Sequence, residues 1–253
     1  MIWPAEAIWE AVAPLLPGFT LEVLPEIDST NTELMRRARA GQAEPVLLVA
    51  ERQTAGRGRM GRSWESGGAI PALTFSLGLP LNPANWSGLS LAVGLSVAVS
   101  LHPELRLKWP NDIWLGERKL AGILIETASI GDRRYAVIGV GVNIAPHVDY
   151  GLRTPAAGLQ QLLPQVDAPQ ALECIAEALA RSILRFEAQG FAPLQTAFHA
   201  LDLLYGRELL CSDGVTGIAR GVDASGALLV HTGVGVKKIT SAEVSVRPTA
   251  THP

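Results

Sequence analysis

Cysteine, aromatic side chains, net charge and long apolar runs are all scarce in this chain, and each scarcity removes a class of protein. Cys174 and Cys211 are the only cysteines, too few for a disulfide framework, and no CxxC or Cys/His cluster has metal-ligand spacing. A reducing, cytoplasmic compartment is the expectation. The 21 basic and 24 acidic residues give a net charge of −3, so no global positive field exists to hold nucleic acid or an anionic membrane, and any anion site must be local. Aromatic residues make up 6% of the chain and do not interleave with its basic residues beyond Trp64, which removes the stacking platform of a single-strand binder. The most apolar stretch, Leu89–Leu101, carries serines and a glycine and is too short to span a bilayer. Residues 1–19 have neither a basic start nor an unbroken apolar core and do not read as a secretory signal. His102, His147, His199, His231 and His252 are scattered and form no metal or nucleophilic constellation, while Cys174 sits in a helical pattern and reads as core packing.

What remains is a globular chain of 253 residues, 48% apolar and 18% charged, of a size for one large domain or two unequal ones. Thr30 and Glu33 have capping-box spacing and predict a helix from residue 30 to about 40, stopped by Gly41. Strands are expected over 46–51, 73–79, 105–109, 113–115, 120–126 and 135–144, with hairpins at Gly116-Glu117-Arg118 and Ile130-Gly131-Asp132-Arg133. Further helices are expected over 86–101, 170–189 and 193–204. From Gly206 onward short alternating strands turn at Cys211-Ser212-Asp213-Gly214 and Asp223-Ala224-Ser225-Gly226. The expected fold is α+β: a mixed, largely antiparallel sheet flanked by helices over residues 1–204, with a small β-barrel over 205–253 packed on it.

The densest chemistry lies in Glu51-Arg52-Gln53-Thr54-Ala55-Gly56-Arg57-Gly58-Arg59-Met60-Gly61-Arg62-Ser63-Trp64. Glycines let the backbone approach a ligand while guanidinium forks converge on phosphate or carboxylate oxygens. Gly56, Gly58 and Gly61 also satisfy GxGxxG. However, the following residues do not open a helix, and no acidic residue lies between Glu65 and Glu104 to hold a ribose, so a dinucleotide fold is rejected. The bland alternative is a solvated basic loop of the RGG kind. This loop is single, lies between two strand signals and ends in a tryptophan, which favours a folded anion-binding loop.

Lys108-Trp109-Pro110-Asn111-Asp112 ends one strand and leads into a hairpin whose other arm begins Lys119-Leu120-Ala121-Gly122-Ile123-Leu124. Pro110, Asn111 and Asp112 are ordinary turn formers. Turn chemistry does not explain Lys108 and Lys119 bracketing a carboxylate at the mouth of an apolar hairpin. Such a set is able to bind Mg²⁺ or a nucleophile, or to offset charge on a phosphoryl group.

Together with Asp28-Ser29-Thr30-Asn31 and Gly139-Val140-Gly141-Val142-Asn143-Ile144, and in this order, these stretches resemble the biotin protein ligases. Gly226-Ala227-Leu228-Leu229 and Ala242-Glu243-Val244-Ser245-Val246-Arg247 are similar to that family's C-terminal domain, so the resemblance covers residues 20–248. It implies a class II synthetase-like fold with an SH3-like C-terminal barrel, ATP with Mg²⁺ as cofactor, biotin as substrate, and a biotin carboxyl carrier protein as partner. Biotin and ATP would give biotinyl-5′-AMP and pyrophosphate, and a carrier lysine would then take the biotinyl group. By the same resemblance Lys119, Arg59, Asp112 and Arg57 form the catalytic set. Arg57, Arg59 and Lys119 offset the repulsion as a carboxylate attacks the α-phosphorus, and Asp112 orients or deprotonates the incoming amine. The resemblance places biotin on Ser29, Thr30, Gln53, Arg57, Arg59, Lys119 and Gly122. It places the nucleotide on Arg59, Arg62, Trp64, Asn111, Lys119, Asn143 and Arg247, and it assigns no residue as a metal ligand. Thr30 is equally placed to cap its helix, with Ser29 the freer of the two to face a ligand.

The chain departs from the family pattern in three places. Met60 stands where a basic residue is frequent, and the stretch from Ser66 to Leu73 lacks the usual compact proline-glycine turn, so no biotin contact is assigned there. Only about 20 residues precede the ligase-like part, too few for the winged helix-turn-helix of bifunctional members. The expectation is a ligase that binds neither operator DNA nor membrane, with a sheet edge available for a homodimer. The nearest alternative is a lipoate or octanoate transferring enzyme, against which the combination of GRGRMGR and KWPND argues. A nucleic-acid-binding module and a catalytically silent biotin-binding regulator are the others.

Overall fold

The computed structural model describes residues 1–65, 71–131, 133–146, 156–240 and, as backbone, 246–248. A short helix, α1 (Ala5–Val12), precedes strand β1 (Thr20–Leu24) and helix α2 (Thr30–Arg39). Then come β2 (Val46–Ala50), β3 (Ala72–Pro80), helix α3 (Leu89–Leu101), β4 (Arg106–Lys108), β5 (Asp112–Leu115), β6 (Arg118–Ile130) and β7 (Arg133–Asn143). The seven strands form one sheet in the order β1-β2-β3-β7-β6-β5-β4. Every neighbouring pair is antiparallel except β1 and β2, which run parallel. The central strands β3 and β7 are buried along nearly their whole length, which is why they read as largely apolar runs rather than as an alternation.

The two faces of the sheet are covered unequally. Helices α1, α3 and α4 (Ala168–Gln189) close the larger core over Leu73, Phe75, Ile123 and Val140. Helix α2 closes a smaller one, where Leu34, Met35 and Ala38 meet Leu48, Tyr135 and Val137. Buried against this face, the Tyr135 hydroxyl has its pKa pushed up to about 12.

The helices differ from expectation at their ends, for local reasons. Ser29, not Thr30, caps α2: its side chain accepts from the Thr32 N–H, and Glu33 turns instead to Arg36 and Arg37. Helix α3 starts at Leu89 rather than at residue 86 because Gly88 is left-handed, φ 84°. Helix α4 starts at Ala168 because Asp167 and Gln170 form the capping box there. The last predicted helix is shorter than expected. After a 3₁₀ turn over Ala192–Leu194, α5 (Gln195–Leu201) stops where Asp202 turns extended and pairs with Leu107 of β4.

The C-terminal strands β8 (Glu208–Cys211), β9 (Thr216–Val222), β10 (Leu228–Thr232), β11 (Gly235–Ile239) and β12 (Val246–Pro248) form a five-stranded antiparallel sheet, in the order β11-β10-β9-β8-β12. Its inward residues, Leu209, Ala219, Val222, Leu228 and Val230, belong to the larger core. Polar contacts add to this packing. The Trp109 indole N–H donates to Gly226 O at 3.1 Å, and Arg207 forks onto Glu117 at 3.0 and 2.7 Å.

Candidate active site

The N-terminus of α2 gathers buried polar groups on the sheet. Ser29, Thr30, Asn31, Thr74, Ser76 and Asn143 are buried. Gln53, just after β2, accepts from the Thr30 N–H at 2.8 Å and lies 3.2 Å from its hydroxyl. As cap residue, Ser29 uses its side chain on its own helix, while Thr30 reaches Gln53 and Ser76, which reverses the expected roles of the pair.

The glycine and arginine loop is folded. Arg57 and Ser63 pair across it, Gly58 N donates to Arg62 O at 2.7 Å, Trp64 N donates to Gly56 O at 2.9 Å, and Arg59–Gly61 form a 3₁₀ tip with Met60 left-handed. Its arginines separate. Arg57 Nη2 bonds Glu126 Oε1 at 2.8 Å, and Nη1 lies 3.3 Å from Thr32 Oγ1. Arg59 Nη1 donates to Asn111 Oδ1 at 3.1 Å. Burial lowers the Arg59 pKa, Asp112 opposes this, and the charge of Arg62 adds to it, although a guanidinium stays protonated throughout. Arg62 is exposed. Arg52 turns away to Glu26 at the surface, 2.7 Å.

Facing the loop, β5 and β6 present Asp112, Lys119 and Gly122. The short turn at Gly116 sends Lys119 back beside Asp112, with Nζ 2.7 Å from Oδ1. The two groups are close but not aligned as a hydrogen bond, and Oδ1 has no other donor. Lys108 Nζ lies instead 4.4 Å from the Trp114 ring centroid. Asn111 ties the hairpin together, donating from Nδ2 to Ile123 O at 2.8 Å. Asn143 Nδ2 is 3.3 Å from Lys119 O.

The floor between these groups is made of hydrogen. Gly122 and Gly141 are direct partners across β6 and β7, and the Trp64 indole lies on them. A Cβ at Gly141 would stand 2.4 Å from Trp64 Cε2, and one at Gly122 would stand 3.1 Å from Lys119 Nζ. Trp64 Nε1 is buried without a hydrogen-bond partner among the described residues. A buried indole donor with no partner, on the glycine floor that Lys119 also borders, marks a place shaped for a polar ligand.

Residues 23–143 match the biotin/lipoate A/B protein ligase family model, and residues 210–247 match the biotin protein ligase C-terminal domain model. The biotin--[acetyl-CoA-carboxylase] ligase of Paracoccus denitrificans is 34% identical over 241 residues, covering 88% of this chain and 98% of that one. The chain belongs to the biotin protein ligase family. The bifunctional ligase/repressor BirA of Escherichia coli is 37% identical over 250 residues, covering 92% of this chain and 75% of BirA. The biotin protein ligase of Aquifex aeolicus, solved with biotin and ATP, superposes with a TM-score of 0.78 at 30% identity over 90% of this chain and 99% of that one. The Paracoccus denitrificans and Aquifex aeolicus proteins are both named for biotin, so the alternative acyl group is not favoured.

For this biotin protein ligase family member, the structure brings Ser29, Thr30, Gln53, Arg57, Arg59, Asn111, Asp112, Lys119, Gly122, Asn143 and Trp64 around one region of the sheet, with Arg62 on the exposed arm of the loop. The backbone of Arg247 pairs with Leu210 in the C-terminal sheet, and its side chain lies outside the described residues, as do residues 66–70. Sequence reasoning left out Asn31, Ser76 and Glu126. Ser76 carried a signal, being with Thr74 one of two hydroxyls inside an otherwise apolar strand.

Proposed function

We propose that the protein joins biotin to ATP as biotinyl-5′-AMP, releasing pyrophosphate, and then passes the biotinyl group to a lysine of a biotin carboxyl carrier protein. The observation that carries this reading is the convergence of Arg59, Lys119 and Asp112 beside the glycine floor that Trp64 covers. Two anions must meet in the first step. Arg57, Arg59 and Lys119 supply preorganised positive charge where it grows, a term worth about 3 kcal/mol per well-placed donor. The Lys119–Asp112 pair gives both steps an order. An arriving carboxylate and α-phosphate draw Lys119 toward themselves, which frees Asp112 to take the proton of the acceptor ammonium, unreactive as long as it is protonated.

The mixed anhydride must be kept from water, and the loop bearing Arg57 and Trp64 is placed to cover it. Ser29, Thr30 and Gln53 serve the biotin head, while Asn111, Asn143, Arg62 and Arg247 serve the nucleotide. Among the described residues no group of three His, Cys, Asp or Glu side chains is arranged to hold a metal, and Asp112 is engaged by Lys119. Mg²⁺ would arrive on the ATP phosphates and offset their charge there.

The reading also places the catalytic part in residues 1–204 and the smaller part in 205–253, acting in the cytoplasm. Among the described residues no helix is long and apolar enough to cross a membrane. The net charge of −3 gives operator DNA no general attraction, and β1, at one edge of the sheet, is the surface for any homodimer. Pyrophosphate release with ATP and either biotin or lipoate tests the reading. Release with biotin alone supports it, and release with lipoate alone would replace it by the lipoate alternative.

A further inference from the structure

Asn31, Ser76 and Glu126 complete a hydrogen-bonded chain between two parts of the biotin site. Gln53 Oε1 holds Thr30, whose Oγ1 is 2.7 Å from Ser76 Oγ. Ser76 donates its single proton to Asn31 Oδ1 at 2.6 Å, so it accepts from Thr30. Asn31 Nδ2 donates to Glu126 Oε2 at 3.0 Å and to Leu124 O at 3.2 Å, and the other Glu126 oxygen takes Arg57 Nη2 at 2.8 Å. Asn31 fits because position 139 is glycine: a Cβ there would stand 2.1 Å from Asn31 Oδ1.

The Arg57 side chain is 46% exposed and Glu126 22%, and an ion pair of two free surface side chains contributes little. Glu126 is not free, because Asn31, itself buried and anchored, fixes one of its oxygens. The other oxygen is thereby aimed before Arg57 arrives, and with Thr32 Oγ1 it holds two nitrogens of the guanidinium. We propose that Glu126 is the positioning residue for Arg57: it sets the guanidinium at the biotin carboxylate and pins the first arm of the loop over the adenylate until the carrier lysine arrives. This rests on the ligase reading above.

Glu126→Gln keeps the side-chain volume and a partner for Asn31 but removes the charge. The expected result is a KM for biotin about tenfold higher, as for the loss of one charge-assisted hydrogen bond, with the KM for ATP and the melting temperature little changed. More adenylate should be lost to water, as free biotin and AMP, per carrier biotinylated. Glu126→Asp, which keeps the charge, should restore part of the retention. If Glu126 acts through Arg57, adding Glu126→Gln to Arg57→Ala changes neither biotin KM nor leakage further. Independent, multiplying effects overturn the proposal, and so does a Glu126→Gln enzyme that retains adenylate like the parent. If Glu126→Gln does not fold, Arg57→Lys must raise leakage at unchanged melting temperature, and failure to do so also overturns it. A parent protein that makes no adenylate at all would sink the ligase reading instead, which keeps the two failures distinct.

Discussion

The hairpin bearing Lys119 and the loop bearing Arg57 face the same space but are held in opposite ways. The hairpin stands on the core: Trp109 is 2% exposed and bonded to Gly226, and Leu120 and Ala121 are fully buried. Asn111 and Ile123 bond each other in both directions. The loop exposes Arg57, Met60 and Arg62 and is fastened by the tips of side chains, Arg57 on Glu126, Arg59 on Asn111, and Trp64 on the glycines. In the proposed mechanism Lys119 thus acts from a stiff element, while Arg57 and Arg59 act from a loop held by side-chain tips. Losses on the hairpin should therefore appear chiefly in adenylate formation, and losses on the loop in biotin KM and adenylate retention as well.

Lys119→Ala should have the largest effect, cutting pyrophosphate release by roughly 10²–10³-fold while leaving the fold intact, as for removal of one preorganised donor; an unchanged rate would put the assignment wrong at its centre. Gly141→Ala should act on the loop. The new methyl displaces the Trp64 indole, so single-turnover experiments should show faster leakage of adenylate, with a stability loss of about 1–3 kcal/mol from overpacking. Unchanged Trp64 fluorescence would contradict the contact.

A smaller effect is expected beneath the hairpin, at Asp202, where the chain pairs with β4. Burial pushes its carboxyl up to about 6, partly offset by the Leu204 N–H and His199. Between about pH 4 and 6 the folded state then holds more protons than the unfolded one, so stability falls as pH rises through this window. Asp202→Asn should raise the melting temperature above pH 6 and give no gain below about pH 4, which thermal melts across that range would show. The smallest effect is expected at Arg52, whose side chain and that of its partner Glu26 are 58% and 51% exposed. Arg52→Ala should change stability by no more than about 1 kcal/mol and leave catalysis alone, which separates this arginine from the others of the loop.

The motif residues were legible in the sequence because their chemistry is dense and local: arginines between glycines, and a lysine facing an aspartate across a short turn. The strands β3 and β7 were legible as largely apolar runs. Helix α1 follows Pro4 with no side-chain cap, and β1 is a short, half-exposed edge strand, so neither carried a start signal to read. Ser29 and Thr30 are adjacent hydroxyls, and spacing alone did not tell which of them caps α2. The partners of Asn31 and Glu126 were beyond local reading, since 95 residues separate the two side chains and only the pairing of the strands brings them together.

Mass spectrometry of the intact protein under native conditions, after incubation with biotin and ATP and without acceptor, tests the central claim most directly. The account predicts a tightly retained adduct with the mass of biotinyl-5′-AMP, discharged when a carrier protein is added. A protein that binds biotin yet gains no adenylate, or that discharges none to a carrier, would contradict it.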